Sequence, residues 1–325
     1  MKRLLLIGLP LLVLLAGLGL AGVNHHFLHQ IRSYPPVTLA APFEDPRLIE
    51  EFALEGRRTP ADFGVANWRT ERYASAWDGL TLEGWFIPAR DTAARRALVF
   101  AHGRWSNRLK PLSYLTLWRE TGLDSLYHVF LPDLRNSGAS DPAETGMGYE
   151  FAEDLYFTLR HLHATHGIDR FAVYGFSMGA MGTAVLLDRP DLRAGLDSLG
   201  LTIERVVLDS PLSNVEASIR RGAARQGVPG PVADLALASF DRTIDGYLPR
   251  LRLGALLADP PCPVLILQGE ADRTTPPAML DAERPAFGPA VRVHTFPGAD
   301  HVKIYRHPDH RAAYTALVAD FLRRP

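Results

Sequence analysis

The stretch Gly175-Phe176-Ser177-Met178-Gly179 sets one hydroxyl between two glycines, where an apolar β-rich run gives way to a helical pattern. A strand that turns sharply into a helix strains the residue at the turn, and side chains two positions to either side collide with the neighbouring turn. Glycine at both flanks removes those collisions. The stretch therefore reads as a serine raised above a sheet edge, with the Met178 N–H in the first helical turn directed at any oxyanion formed there. A serine that only caps a helix is the structural alternative. The strand-to-helix context and the paired glycines favour a nucleophile.

A serine hydroxyl is a weak nucleophile at neutral pH and needs a base that is itself oriented by a third group. Downstream, "PVLILQGEADRTTP" (Pro263 to Pro276) is a buried-type strand followed by a loop presenting Asp272. "VHTFPGADHVKIY" (Val293 to Tyr305) is a strand followed by a loop that presents His301. Both groups follow strands, as a site on one rim of a sheet requires, and the order Ser177, Asp272, His301 is that of a nucleophile elbow. Asp209 in "VVLDSPLSN" also ends a strand and competes for the acid's role. Asp300 adjoins His301 and is expected to point elsewhere. His294 falls within a strand, and His307 and His310 near a helix start, where solvated positions are expected.

The elements that must hold these groups alternate along the chain. Strands are predicted over Arg69–Ser75, Thr81–Ile87, Ala97–Ala101, His128–Leu131, Phe171–Tyr174, Arg205–Leu208, Val264–Gln268 and Val291–Thr295. Helices are predicted over Pro111–Glu120, Tyr149–His163, Met178–Leu187, Pro277–Glu283 and Pro308–Leu322. Such alternation implies an α/β fold, a mainly parallel eight-stranded sheet with helices on both faces. Two early strands without a helix between them imply an antiparallel start.

With these motifs, "FAHGRWSNR" (Phe100 to Arg108) and "DLRNSGAS" (Asp133 to Ser140), the chain resembles the α/β-hydrolases from about Trp77 to Leu322. Within them it is most similar to bacterial membrane-anchored serine hydrolases related to prolyl-oligopeptidase-type esterases. The resemblance implies a second oxyanion donor, the backbone N–H of Arg104, and a structural role for the Asp133 loop in the active-site wall. Relatives often carry a small residue or Asn after His-Gly. Arg104 and Trp105 are therefore expected to narrow the pocket or bias it toward anionic substrates. Residues 210–261 form a longer excursion, expected as a small helical lid that controls access.

The function implied is hydrolysis of carboxylic esters or thioesters through a Ser-His-Asp triad, with no metal or organic cofactor. A serine peptidase acting on short peptides is the neighbouring enzyme reading. An inactive binding protein of the same fold is the reading from another class, and the complete set of nucleophile, base and acid argues against it. His161, His163 and His166 in "HLHATH" invite a metal reading, but positions i, i+2 and i+5 do not share one helical face, so a solvated face is expected.

At the N-terminus, Lys2 and Arg3 precede an uncharged run from Leu4 to Val23, long enough to cross a bilayer as a helix. Residues 1–23 read as a signal anchor or signal peptide. Gly19, Leu20 and Ala21 resemble a cleavage site, but the length of the run favours an uncleaved anchor. The positive-inside rule then places the rest of the chain outside the cytoplasm, secreted or periplasmic if cleavage occurs. "GLGLAG" (Gly17 to Gly22) fits a dinucleotide fingerprint only formally, because it lies inside this run without a preceding strand. Residues 24–42, with Pro35 and Pro36 and a polar collar of His25, His26 and His29, read as a tether, and 43–325 as the catalytic domain. A net charge of −1 argues against a nucleic-acid partner. Cys262 is the single cysteine, which excludes an internal disulfide and a Cys-based zinc site. The partners expected are a small-molecule or lipid-like acyl substrate and, through the N-terminal helix, a membrane.

Overall fold

Eight strands form one sheet: β1 (Arg69–Ala74), β2 (Thr81–Ile87), β3 (Arg96–Ala101), β4 (His128–Asp133), β5 (Arg170–Phe176), β6 (Thr202–Asp209), β7 (Val264–Gly269) and β8 (Val291–Phe296). The structure is a computed structural model that describes residues 21–324. The spatial order is β1-β2-β4-β3-β5-β6-β7-β8. The β1–β2 and β2–β4 pairs are antiparallel, and every other pair is parallel. The expected antiparallel start is thus present, and β5, which leads into Ser177, lies centrally.

Period-2 alternation sorts the central strands into two cores. Ala97, Val99 and Ala101 of β3 enter one, and Leu98 and Phe100 the other; Phe171 and Val173 of β5 part from Ala172, Tyr174 and Phe176 in the same way. Sheets apolar on both faces must be covered on both. The helices are α1 (described over 21–32), α2 (Pro46–Phe52), α3 (Tyr114–Glu120), α4 (Tyr149–His166), α5 (Met178–Asp188), α6 (Pro190–Ser198), α7 (Val215–Arg225), α8 (Gly230–Thr243), α9 (Leu253–Leu256), α10 (Pro277–Asp281) and α11 (Arg311–Arg323). Phe151 and Leu155 of α4 and Val185 of α5 fill the first core, while Trp118 of α3 and Val318 of α11 fill the second.

Several boundaries differ from the sequence expectation. Residues Lys110–Ser113 form a 3₁₀ turn before α3, and α11 begins at Arg311, not Pro308. Helix α6 was not anticipated; its signal is Pro190 at the first helical position. Residues 24–42 are not a free tether: they are helical to residue 32, and Ile31, Tyr34 and Val37 are buried against the domain. The signal anchor expected over 1–23 lies outside the described residues apart from 21–23. Among the described residues no helix is long and apolar enough to cross a membrane.

At the carboxyl rim a buried polar knot ties β6 to α11. Tyr314 Oη donates to Asp209 Oδ2 at 2.5 Å, Ser210 Oγ donates to Asp209 Oδ1 at 2.9 Å, and Tyr314 also bonds the Tyr174 hydroxyl of β5. Burial pushes the Asp209 carboxyl up, against the pull of the Tyr314 and Ser210 hydroxyls. Replacing Tyr314 by Phe removes a donor from a buried acid and is expected to cost about 1–3 kcal/mol of stability. Urea unfolding of Tyr314→Phe against the parent measures it.

Candidate active site

Ser177 has φ 51° and ψ −113°, a conformation L-residues rarely adopt. It is held from both sides: Ser177 N–H donates to Asp209 O at 3.1 Å, and Leu212 N–H donates to Ser177 O at 3.0 Å. The flanking glycines are sterically required. A Cβ on Gly175 would lie 2.6 Å from Ala180 Cα, and one on Gly179 would overlap the carbonyl oxygens of Ala101 and His102. Helix α5 therefore starts against β3 itself. Met178 occupies its first position, where a backbone N–H has no intrahelical partner.

Asp272 and His301 meet across the loops after β7 and β8. His301 Nδ1 lies 2.8 Å from Asp272 Oδ2. The acid's side chain is fully buried and the imidazole is 17 % exposed. The N–H groups of Thr274 and Thr275 each donate to Asp272 Oδ1 at 2.8 Å, and the Thr275 hydroxyl donates to Oδ2 at 2.8 Å. Burial raises the Asp272 carboxyl, but the hydrogen bond and charge of His301 and the Thr275 donors outweigh it and hold the carboxyl below its ordinary value. An ionised carboxylate only accepts, so the proton between the pair belongs on Nδ1, leaving Nε2 as the basic nitrogen. Ser210 braces the His301 loop: its hydroxyl accepts the Val302 N–H at 3.0 Å.

The loop after β3 completes one wall. His102 Nδ1–H donates to Gly103 O at 2.9 Å, and Nε2 accepts the Leu134 N–H at 3.0 Å. Burial pushes this imidazole down to about 4, so it stays neutral and serves as a brace between the loops after β3 and β4. A Cβ on Gly103 would sit 3.0 Å from Ser177 Cβ, which brings the Gly103-Arg104 backbone against Ser177. The expected cation beside the oxyanion site is absent from it, because the Arg104 guanidinium turns to the carbonyls of Gln30 at 2.6 Å and Ser33 at 2.9 Å. Engaged in this way, the guanidinium does not supply the expected anionic bias. Trp105, 56 % exposed, stands on the wall with φ 53°.

Ser177, Met178, His301, Gly103 and Arg104 line a single cleft of about 1040 Å³. Among the described residues Ser177 and His301 share this cleft without a direct hydrogen bond, a common feature of sites without substrate. The excursion expected as a lid supplies only Leu212 and Ser218 of the described lining; Pro35, Pro36, Val37, Leu48 and Phe52 form the apolar part of a wall that also carries Asp45, Arg47 and Glu51. That wall was missed in the sequence, where Tyr34-Pro35-Pro36-Val37 was the available signal. Lys110 Nζ, also on the cleft, is paired with Glu51 Oε1 at 2.5 Å.

The competitors go elsewhere. Asp209 faces Tyr314 and Ser210, and Asp300 accepts the His301 N–H at 2.8 Å. His294 is exposed on β8, and His310 Nε2 donates to Pro297 O at 2.6 Å. His161 and His166 do not form a solvated face: their Nε2 atoms lie 2.8 and 2.9 Å from the Glu71 carboxylate of β1. No group of His, Cys, Asp and Glu suited to a metal ion occurs among the described residues.

Residues 98–317 match the Alpha/beta hydrolase family. An Escherichia coli K12 protein, YfhR, described as uncharacterized, is 25 % identical over 285 residues, which cover 85 % of this chain and 89 % of that one. The Pyrococcus furiosus esterase Pf2001 superposes with a TM-score of 0.61 at 21 % identity, over 83 % of this chain and 95 % of that one. The alpha/beta hydrolase GrgF from Penicillium sp. sh18 does so at 0.55 and 17 %, over 79 % and 98 %. The two superpositions speak to fold alone.

A depressed acid adds stability that is complete above its unfolded-state range and is lost as pH falls through the folded value. The stability difference between the parent and Asp272→Asn is therefore expected to be largest at neutral pH and to shrink below about pH 4, the ordinary carboxylate range. Urea midpoints measured for both from pH 7 down to pH 3 check it.

Proposed function

Because the chain belongs to the alpha/beta hydrolase family, we propose that it is a serine hydrolase cleaving carboxylic esters or thioesters through an acyl-enzyme on Ser177. One observation carries the reading: His301, held at 2.8 Å by a buried Asp272, lines the same cleft as the strained Ser177. His301 Nε2 takes the hydroxyl proton as Ser177 Oγ bonds to the carbonyl carbon, and the carbonyl electrons move to oxygen. The N–H groups of Met178 and Arg104 hold that oxyanion, each such donor being worth about 3 kcal/mol. The imidazolium, favoured by Asp272, returns its proton to the leaving alcohol or thiol. Water then repeats the sequence on the acyl-enzyme, releases the acid and restores the serine. The apolar surface of Pro35, Pro36, Val37, Leu48 and Phe52 on the cleft supports an acyl chain as the group bound there. In the same reading, the run from Leu4 to Val23 anchors the chain with its catalytic domain outside the cytoplasm.

Detergent-solubilised parent is expected to hydrolyse p-nitrophenyl esters with a burst of p-nitrophenol. Ser177→Ala is expected to abolish the burst, and Asp272→Asn to lower kcat by about 10⁴-fold through the wrong imidazole tautomer. Cleavage of peptide anilides with no ester turnover would transfer the site to a peptidase. Folded parent inert toward esters, thioesters and peptides would leave a binding protein.

A further inference from the structure

We infer that the Arg104 side chain is a positioning residue that ties helix α1 to the oxyanion loop, so that placement of the Arg104 N–H depends on the N-terminal segment being docked. The inference rests on the serine-hydrolase reading above.

A helix ends with carbonyls that have no intrahelical donor. At the end of α1, Ser33 N–H closes onto His29 O at 2.8 Å, and Arg32 O accepts the N–H of Thr145 at 2.8 Å. Arg104 takes the others: Nη2 donates to Gln30 O at 2.6 Å and to Ser33 O at 2.9 Å, and Nη1 reaches Ile31 O at 3.4 Å. A rigid five-donor guanidinium suits several converging carbonyls, and the negative end of the helix dipole favours its charge. The guanidinium carbon also lies 4.9 Å from the Tyr34 ring centre and 5.1 Å from that of Trp105.

The loop so held is the one that needs holding. Trp105 has φ 53°, and a strained turn keeps its shape only where its surroundings over-determine it. Neighbouring bonds clamp the same segment, with Asn107 Nδ2 donating to Thr38 O at 3.0 Å and Asn136 Nδ2 to Tyr34 O at 2.7 Å. Further back along α1, Asn24 Nδ2 donates to Ser239 Oγ of α8 at 3.0 Å. One segment thus touches the excursion, walls the cleft at Pro35–Val37 and grips the oxyanion loop.

Arg104→Ala and Arg104→Lys both keep the backbone N–H, so a loss in kcat reports where that donor sits. Full-length Arg104→Ala, Arg104→Lys and Tyr34→Ala are compared with the parent on p-nitrophenyl butyrate, with hydrogen exchange read over residues 24–38. Arg104→Ala is expected to lower kcat about ten- to a hundredfold, as a donor displaced by about 1 Å does. KM is expected to change little, and exchange to accelerate over 24–38 but not in β5 or α5. Arg104→Lys restores part of kcat, since an ammonium lacks the fork. Tyr34→Ala, which leaves the loop residues intact, lowers kcat in the same direction, and combining it with Arg104→Ala adds less than the two losses multiplied. An active parent whose kcat survives Arg104→Ala, or survives while residues 24–38 exchange faster, overturns this inference alone. A parent inert toward the ester overturns the hydrolase reading and this inference with it.

Discussion

The backbone of Ser177, forced to positive φ where β5 becomes α5, is the constraint on which the rest of the structure depends. It is tolerable only because β3, β6 and α5 close around it. Gly179 lets α5 begin against the carbonyls of β3, and the Ser177 N–H is satisfied by the last carbonyl of β6. The central place of β5 in the sheet makes those neighbours available on both sides. A sheet apolar on both faces supplies the rigidity, since its alternating residues are locked into two separate cores.

Electrostatics then divides the rim by burial and by donors. Asp209 ends β6 and Asp272 lies in the loop after β7, but only Asp272 collects backbone N–H donors and an imidazole, which hold it ionised against burial. Asp209 is surrounded by hydroxyls and sits above its ordinary value, joined to structure. His102 and His301 differ in the same manner: one is enclosed and kept neutral as a brace, the other opens onto the cleft.

Local rules made much of this legible in the sequence. The elbow is a five-residue pattern with a steric cause, Asp272 follows an apolar run that reads as a buried strand, and His301 follows an alternating run that reads as a half-exposed one. What stayed hidden depends on contacts far apart along the chain. Arg104 and Gln30 are 74 positions apart, and nothing local in "HGRW" shows that the arginine side chain caps a helix. His161 and His166 looked solvated by helical periodicity because Glu71, 90 and 95 positions away, is their partner. Residues 24–42 have the proline content of a linker, and only packing reveals Ile31, Tyr34 and Val37 as core. The excursion over 210–261, expected as a lid controlling access, supplies Leu212 and Ser218 to the cleft, while residues 35–52 supply more of its described lining.

The most direct measurement is the site of covalent modification by a fluorophosphonate, read by intact mass and peptide mapping on folded, full-length protein. A nucleophile activated by His301 predicts one phosphonyl adduct, on the peptide carrying Ser177, lost when the protein is unfolded before labelling. Folded protein that gains no adduct, or gains it on a different serine, would contradict the assignment of Ser177 as the attacking group.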